Sequence, residues 1–499
     1  MSNRKSNKSF LSAARAQIVR NRAILMVSTL AEGNTGMLEI HGTGRRYCDG
    51  LARRDFLKVG ALGVGGLTLP GLLRARAAAA GATPHGARQA KAVLLLWMGG
   101  GPSHFETFDP KPDAPEAYRG PSRAIATNVP GIRVHEWLPR MAKLADRYAI
   151  IRSLSHGENG HTAADHWMQT GYKYGAPDSQ GNPAQAAPFF GTVLARQLGA
   201  RGSLPANVSI KTYGRYGIGG FNYVYYDRPE RIGPALTPLR ITGDEKTGYV
   251  LNDLPLAEGV TLDRLARRSR LAQAVDQSVR LADAQGAAAE MDLFQRKAYD
   301  LVTGTEARSA FDLQAEPAAL RDRYGRNGFG QGFLLARRLI EKGVPVVAVS
   351  TGNWDTHGNL QGIPIGALER MRDHLCPTLD QAYSALLTDM HERGLLQETL
   401  VLWMGEFGRS PKVEGADQGR DHWGRSMSVV AAGGGVPGGQ VIGSTTPDGG
   451  EPDDRPLRPL DLIATIYHKL GIAPDTILLD AQNRPWDIAG GGTVIRELG

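Results

Sequence analysis

Cysteine is nearly absent from this 499-residue chain: Cys48 lies in an N-terminal leader, and Cys376 stands alone after it. A single thiol in the body excludes an intrachain disulfide and a cysteine-built zinc site, so an oxidising compartment is tolerated but not exploited. A basic body is missing too. The formal charge is +8, yet residues 1–80 hold 13 basic and 4 acidic side chains, leaving 45 basic against 46 acidic in the remainder. A tract for phosphate backbones is therefore unsupported, and nucleic acid is not expected as a partner. No internal repeat is found. The leader's apolar core, Val59 to Leu73, is short and glycine-rich for a membrane span.

What the leader does hold is an export signature. Ala52-Arg53-Arg54-Asp55-Phe56-Leu57-Lys58 resembles the twin-arginine motif, the apolar core follows, and small residues from Ala77 to Ala80 offer a cleavage zone. Residues 1–36 read as a disordered extension or a mis-called start, and 37–80 as the signal region. Residues 81–499 read as one domain, with helical and loop insertions at about 177–330. The expectation is a periplasmic or secreted protein, folded before export, that meets a membrane only during that step.

The body has 41% hydrophobic residues in the chain to draw on and groups them in short continuous runs. Lys91 to Met98, Tyr148 to Leu154, Val344 to Ser350, Leu400 to Met404 and Met427 to Ala432 suit strands buried on both faces. Helical patterns at 136–146, 332–342, 366–393 and 460–470 separate them, with Pro459 and Gly471 bounding the last. Residues 177–247, rich in Gly, Pro and Tyr, read as insertion and loop, with a possible strand at Val208–Lys211. Residues 261–303 read as a helical hairpin. The order predicts an α/β fold with a mainly parallel central sheet flanked by helices on both faces, the runs at 92–98, 344–350, 400–404 and 427–432 adjacent in its centre.

Each run ends in chemistry. The first leads into Gly99-Gly100-Gly101-Pro102-Ser103-His104, then Glu106 and Asp109. Three glycines after a strand invite a phosphate-loop reading, but the Gly-Lys-Ser/Thr ending and the dinucleotide spacing are both absent. The second leads to His161 and Thr162 at a predicted helix start, either of which could cap it. His166 follows His161 by five residues, off the spacing for two ligands on one helical face. The third leads to Asp355 and His357, and the fourth to Glu406, Arg409, Asp421 and His422. In open α/β sheets ligands sit beyond the carboxyl ends of strands. Carboxylates and imidazoles converging there suit a divalent metal (zinc, manganese, magnesium or calcium) able to polarise an ester oxygen and activate a water or hydroxyl. The candidate ligands are Asp355, His357, Glu406 and His422, with His104 and Asp109 for a second ion. Thr162, His161 and Arg409 are the candidate catalytic residues, and a helix start opposite them would hold an anion.

The leader from Cys48, GGGPSHFETFDPKP, HTAADHWMQTG, LLARRLIEKGVPVVAVSTGNWDTHGN, LVLWMGEFGRSP and GRDHWG together resemble the DUF1501 family of exported bacterial proteins, from Met37 onward. Through that family the chain is similar to the alkaline phosphatase/sulfatase superfamily. The resemblance implies an alkaline-phosphatase-like fold in which Asp355, His357 and His422 match metal ligands. Glu406-Phe407-Gly408 stands where the superfamily has Asp-His-Gly, and His161, with Thr162 beside it, stands in the nucleophile register. No cysteine is present there to become formylglycine, and the first-strand aspartate is missing, so Asp109 or Glu106 would have to substitute. The implied function is metal-dependent hydrolysis of phosphate or sulfate esters, polysaccharide esters included. The alternative is a non-catalytic exported binding protein that keeps the fold.

Overall fold

The computed structural model describes residues 90–121, 123–174, 186–213, 227–244, 248–250, 309–352, 354–358, 366–415, 418–480 and 482–499, with short pieces at 37–38, 59–60 and 267. Contacts divide the chain into Met1–Ala79 and Ala80–Gly499. In the first unit Met37–Leu38 pairs antiparallel with Val59–Gly60. The twin-arginine motif, the cleavage zone and the helical hairpin expected at 261–303 fall outside the described residues, Arg267 apart.

The second unit is built on a nine-stranded sheet. Its strands, in chain order, are β1 (Ala92–Met98), β2 (Tyr148–Leu154), β3 (Asn207–Tyr213), β4 (Leu239–Asp244) and β5 (Gly248–Val250). They continue with β6 (Val346–Thr351), β7 (Thr399–Met404), β8 (Met427–Ala432) and β9 (Gln440–Ile442). The spatial order is β9-β2-β8-β7-β1-β6-β3-β4-β5. All neighbours are parallel except β8, which runs against both β7 and β2, and β5, which runs against β4. The four strands expected at the centre are neighbours there.

The continuous apolar runs are explained by burial on two sides. Side chains alternate across a strand, so Val93, Leu95 and Trp97 of β1 enter one core and Leu94, Leu96 and Met98 the other. The first core is closed by Ala164 and Met168 of α1 (His161–Thr170), Val193 and Leu194 of α2 (Phe190–Leu198), and two residues of a later helix, Ile463 and Ile466. The second is closed by Leu334 and Leu339 of α3 (Gly328–Glu341) and Leu379 and Leu386 of α4 (Cys376–Glu392). That later helix is α5 (Pro459–Lys469). Helices therefore cover both faces. Among the described residues no helix is long and apolar enough to cross a membrane.

Three expectations are corrected. Residues 177–247 are not all insertion: β3 and β4 extend the central sheet, with Val208, Ile210 and Ile241 in its core. The helix at 136–146 shrinks to Pro139–Ala142 and a 3-10 turn at Ala145–Arg147, its start capped by the Asp380 carboxylate on the Arg140 and Met141 amides. The helix at 366–393 is broken by a π-turn at Met371–Leu375. Pro377 lacks the N–H that would bond back to the preceding turn, which accounts for the wider turn ahead of it.

Candidate metal centre

The functional side chains gather at the carboxyl edge of β1, β2, β6 and β7. His422 joins them because it precedes β8, whose reversed direction starts that strand at the same edge. The segments fit closely here because the glycines after β1 carry no side chain. Gly100 has φ 109° and Gly101 φ 84°. A Cβ at Gly100 would overlap the backbone of Trp354 and Asp355, and one at Gly101 would overlap the Phe407 ring. Close approach, rather than phosphate binding, explains the glycine run. The Gly100 N–H donates to Glu406 Oε1 at 2.8 Å.

Asp355 is the hub, 3% exposed. Its Oδ1 receives Arg409 Nη2 at 2.9 Å and lies 2.9 Å from His422 Nε2. Its Oδ2 lies 3.1 Å from His357 Nε2 and 3.5 Å from His161 Nε2. His161 Nδ1–H donates to Glu406 Oε1 at 2.8 Å, and His422 Nδ1–H donates to the Asn159 carbonyl at 2.9 Å. Phe407 stacks on His422 with centroids 4.5 Å apart. Burial opposes ionising Asp355, but hydrogen bonds from His161, His357 and His422 and the Arg409 charge hold its carboxyl well below the usual range. Burial likewise pushes His161 down, yet its bonds to Asp355 and Glu406 outweigh this and raise it to about 9.

This arrangement fits a cation. The ligand atoms of His161, Asp355 and His422 all lie within 4.8 Å of one another. In both histidines Nδ1 already faces an oxygen, and Nε2 faces the same carboxylate. Either each ring carries a second proton, or a positive ion lies between ring and carboxylate. Glu406 Oε2 is buried with no hydrogen-bond partner among the described residues. One carboxylate and two imidazoles form a donor set suited to zinc or manganese.

The other candidates are bonded differently. Arg409 is wholly buried, and besides Asp355 its guanidinium serves the carbonyls of Gly100, Gly101 (2.8 Å), Trp354 (3.0 Å) and Arg420 (3.1 Å). It ties three loops together, those after β1, β6 and β7. Thr162 is exposed beside His161 and makes no bond to the cluster, and α1 is capped by Gly160 without a side-chain bond, so neither His161 nor Thr162 caps it. His104 contacts Gly449 O through Nε2 at 3.0 Å. Asp109 pairs with Lys111 (3.2 Å) and Arg152 (3.3 Å) and accepts from Thr445. Glu106 is held by Arg420 at 2.9 Å. His166 Nε2 accepts the Ala187 N–H at 3.1 Å, so it is a packing residue of α1.

Two supporting residues escaped the sequence reading. Arg370, fully buried beside the π-turn, donates to the Asp355 carbonyl. His156 Nε2–H donates to the Glu406 carbonyl at 2.7 Å, and its Nδ1 accepts the Glu158 N–H at 3.0 Å. The only signal for His156 was its place just after a strand.

Burial lowers His104, His135 and His156 to about 4. A histidine whose folded pKa lies below its unfolded value stabilises the fold fully above about pH 6.5, and that contribution fades as pH falls through 4. For the nearly inaccessible His104 and His135, about 3 kcal/mol each is at stake. Urea midpoints should therefore fall steeply between about pH 6.5 and 4. Asparagine at His135 should flatten that slope.

No curated protein matches the chain in sequence. Among solved structures it is similar to a phosphonate monoester hydrolase from Silicibacter pomeroyi, with 10% identity, 82% of this chain and 76% of that one covered, and a TM-score of 0.37. It is also similar to a sulfatase from Pseudoalteromonas sp. (14%, 81% and 72%, TM-score 0.35). A third is a protein in the alkaline phosphatase superfamily from Vibrio parahaemolyticus (9%, 77% and 67%, TM-score 0.35). Residues 90–498 match the family described as "Protein of unknown function (DUF1501)", and the chain belongs to that family.

Proposed function

We propose that the protein is a metal-dependent hydrolase of phosphate or sulfate esters, exported to the periplasm or beyond. One observation carries the reading: the convergence of His161 Nε2, the Asp355 carboxylate and His422 Nε2 within 4.8 Å, at the start of a helix. These three side chains would hold the ion. When bound there, a divalent ion would polarise an ester oxygen. The chain's own groups do the rest. Arg409 holds Asp355, the amides opening α1 attract the anionic ester, and water or the exposed Thr162 hydroxyl supplies the attacking oxygen. Polysaccharide esters are included in the substrate class.

The test is metal content, measured by mass spectrometry on the processed protein after expression with supplemented zinc and manganese, followed by a panel of aryl phosphate, phosphonate and sulfate esters. Bound metal, with turnover removed by chelation and restored by one ion, is the expected result. Metal without turnover of any ester would favour the second reading, an exported binding protein. That reading draws on the candidate nucleophile Thr162, which is exposed and makes no hydrogen bond to Asp355 or Glu406.

A further inference from the structure

Glu406 is the most nearly inaccessible carboxylate of the cluster, 2% exposed, and it is not among the three residues with metal-ligand spacing. Its Oε1 already accepts two hydrogen bonds, from Gly100 N–H and from His161 Nδ1–H, each at 2.8 Å. His422 repeats the pattern: its Nδ1–H is taken by the Asn159 carbonyl at 2.9 Å while Nε2 faces Asp355 at 2.9 Å. An imidazole that binds a metal through one nitrogen almost always donates its other N–H to a carboxylate or a backbone carbonyl, which fixes tautomer and ring direction. Both acceptor types are present here, one behind each histidine.

We propose that Glu406 is a positioning residue, which holds His161 in the Nδ1–H tautomer so that Nε2 joins Asp355 and His422 at a single ion. This rests on the metal-centre reading above and changes two roles expected from the sequence: His161, expected as catalytic, becomes a ligand, and Glu406, expected as a ligand, becomes its orienting partner. Three supports keep Glu406 in place. Its carbonyl is held by His156, its Oε1 by Gly100, and the neighbouring Phe407 ring packs 5.1 Å from His161 and 4.5 Å from His422. With Phe407 filling that side, and Asp109 and Glu106 paired to Arg152 and Arg420, the described residues assemble one ion site rather than two.

The full chain, labelled with [15N]histidine and loaded with cadmium-113, tests this by long-range proton–nitrogen spectra and cadmium titration. The expected result is one ion per chain, coupled to Nε2 of two histidines, whose signals vanish separately in His161→Asn and His422→Asn. Glu406→Gln keeps an oxygen for the His161 N–H. Both couplings should persist in it, and affinity should fall no more than about ten-fold. Glu406→Ala should weaken binding by about 10- to 100-fold and shift or erase the His161 signal while leaving that of His422 intact. Two ions per parent chain, coupling through Nδ1 of His161, or parent affinity in Glu406→Ala would each overturn the proposal. A parent that binds no ion removes the metal-centre reading itself, and this inference with it.

Discussion

Asp355→Ala is expected to abolish metal binding and to destabilise the fold together. Among the described residues the carboxylate lies within reach of Arg409, His422, His357 and His161. Removing it deletes the carboxylate that all three imidazoles face, and it leaves the wholly buried Arg409 without its counter-charge. Breaking a buried pair from one side costs about 3–5 kcal/mol, and the lower end applies because Arg409 keeps its carbonyl partners. Denaturant midpoints and metal content, measured on the same preparations, check both halves. Asp355→Asn separates them: it preserves shape and most packing, so it should fold better than the alanine variant yet still bind little metal. Parent-level metal in both variants would remove Asp355 from the centre.

The second large effect is expected at a residue with no side chain, beside the cluster. Gly100→Ala introduces a Cβ where the backbone of Trp354 and Asp355 already lies, with the Trp354 carbonyl carbon 2.9 Å away, at a φ of 109°. Backbone cannot swing aside as a side chain can. The strain and the overpacking together should cost roughly 2–5 kcal/mol, and the shift should displace Asp355 and weaken metal binding. Gly157→Ala is the control. It also has a positive φ, 77°, but nothing lies within 4 Å of the added carbon, so only the conformational cost of about 1 kcal/mol remains. Equal melting temperatures for the two variants would refute the close-approach explanation of the glycine run.

The fold was legible wherever burial is two-sided. β1, β6, β7 and β8 are continuous apolar runs because both faces meet helices, and no other arrangement of short runs and helical patterns suits them as well. β3 was only half legible. Asn207, Ser209, Lys211 and Thr212 interrupt its pattern, and the Gly- and Pro-rich surroundings resemble loop. The π-turn was invisible because residues 366–393 read as one uninterrupted helical pattern, and the pattern carries no mark of the wider turn ahead of Pro377.

The site divides in the same way. That Asp355, His357, Glu406 and His422 stand near one another follows from strand ends sharing an edge, a property of topology. Which atom faces which is a property of side-chain direction, and sequence spacing does not carry it. Thus Arg409 reads as a catalytic cation but is an internal tie, and His104 and Asp109 read as ligands but bond elsewhere. Glu406 and His161 could not be ranked until their mutual hydrogen bond was seen.

The most direct measurement is anomalous scattering at the zinc edge from crystals of the processed protein grown with zinc. The account predicts one peak per chain, between His161 Nε2, the Asp355 carboxylate and His422 Nε2, with Glu406 on the far side of the His161 ring. No peak there, or a peak held instead by His104 and Asp109, would contradict it.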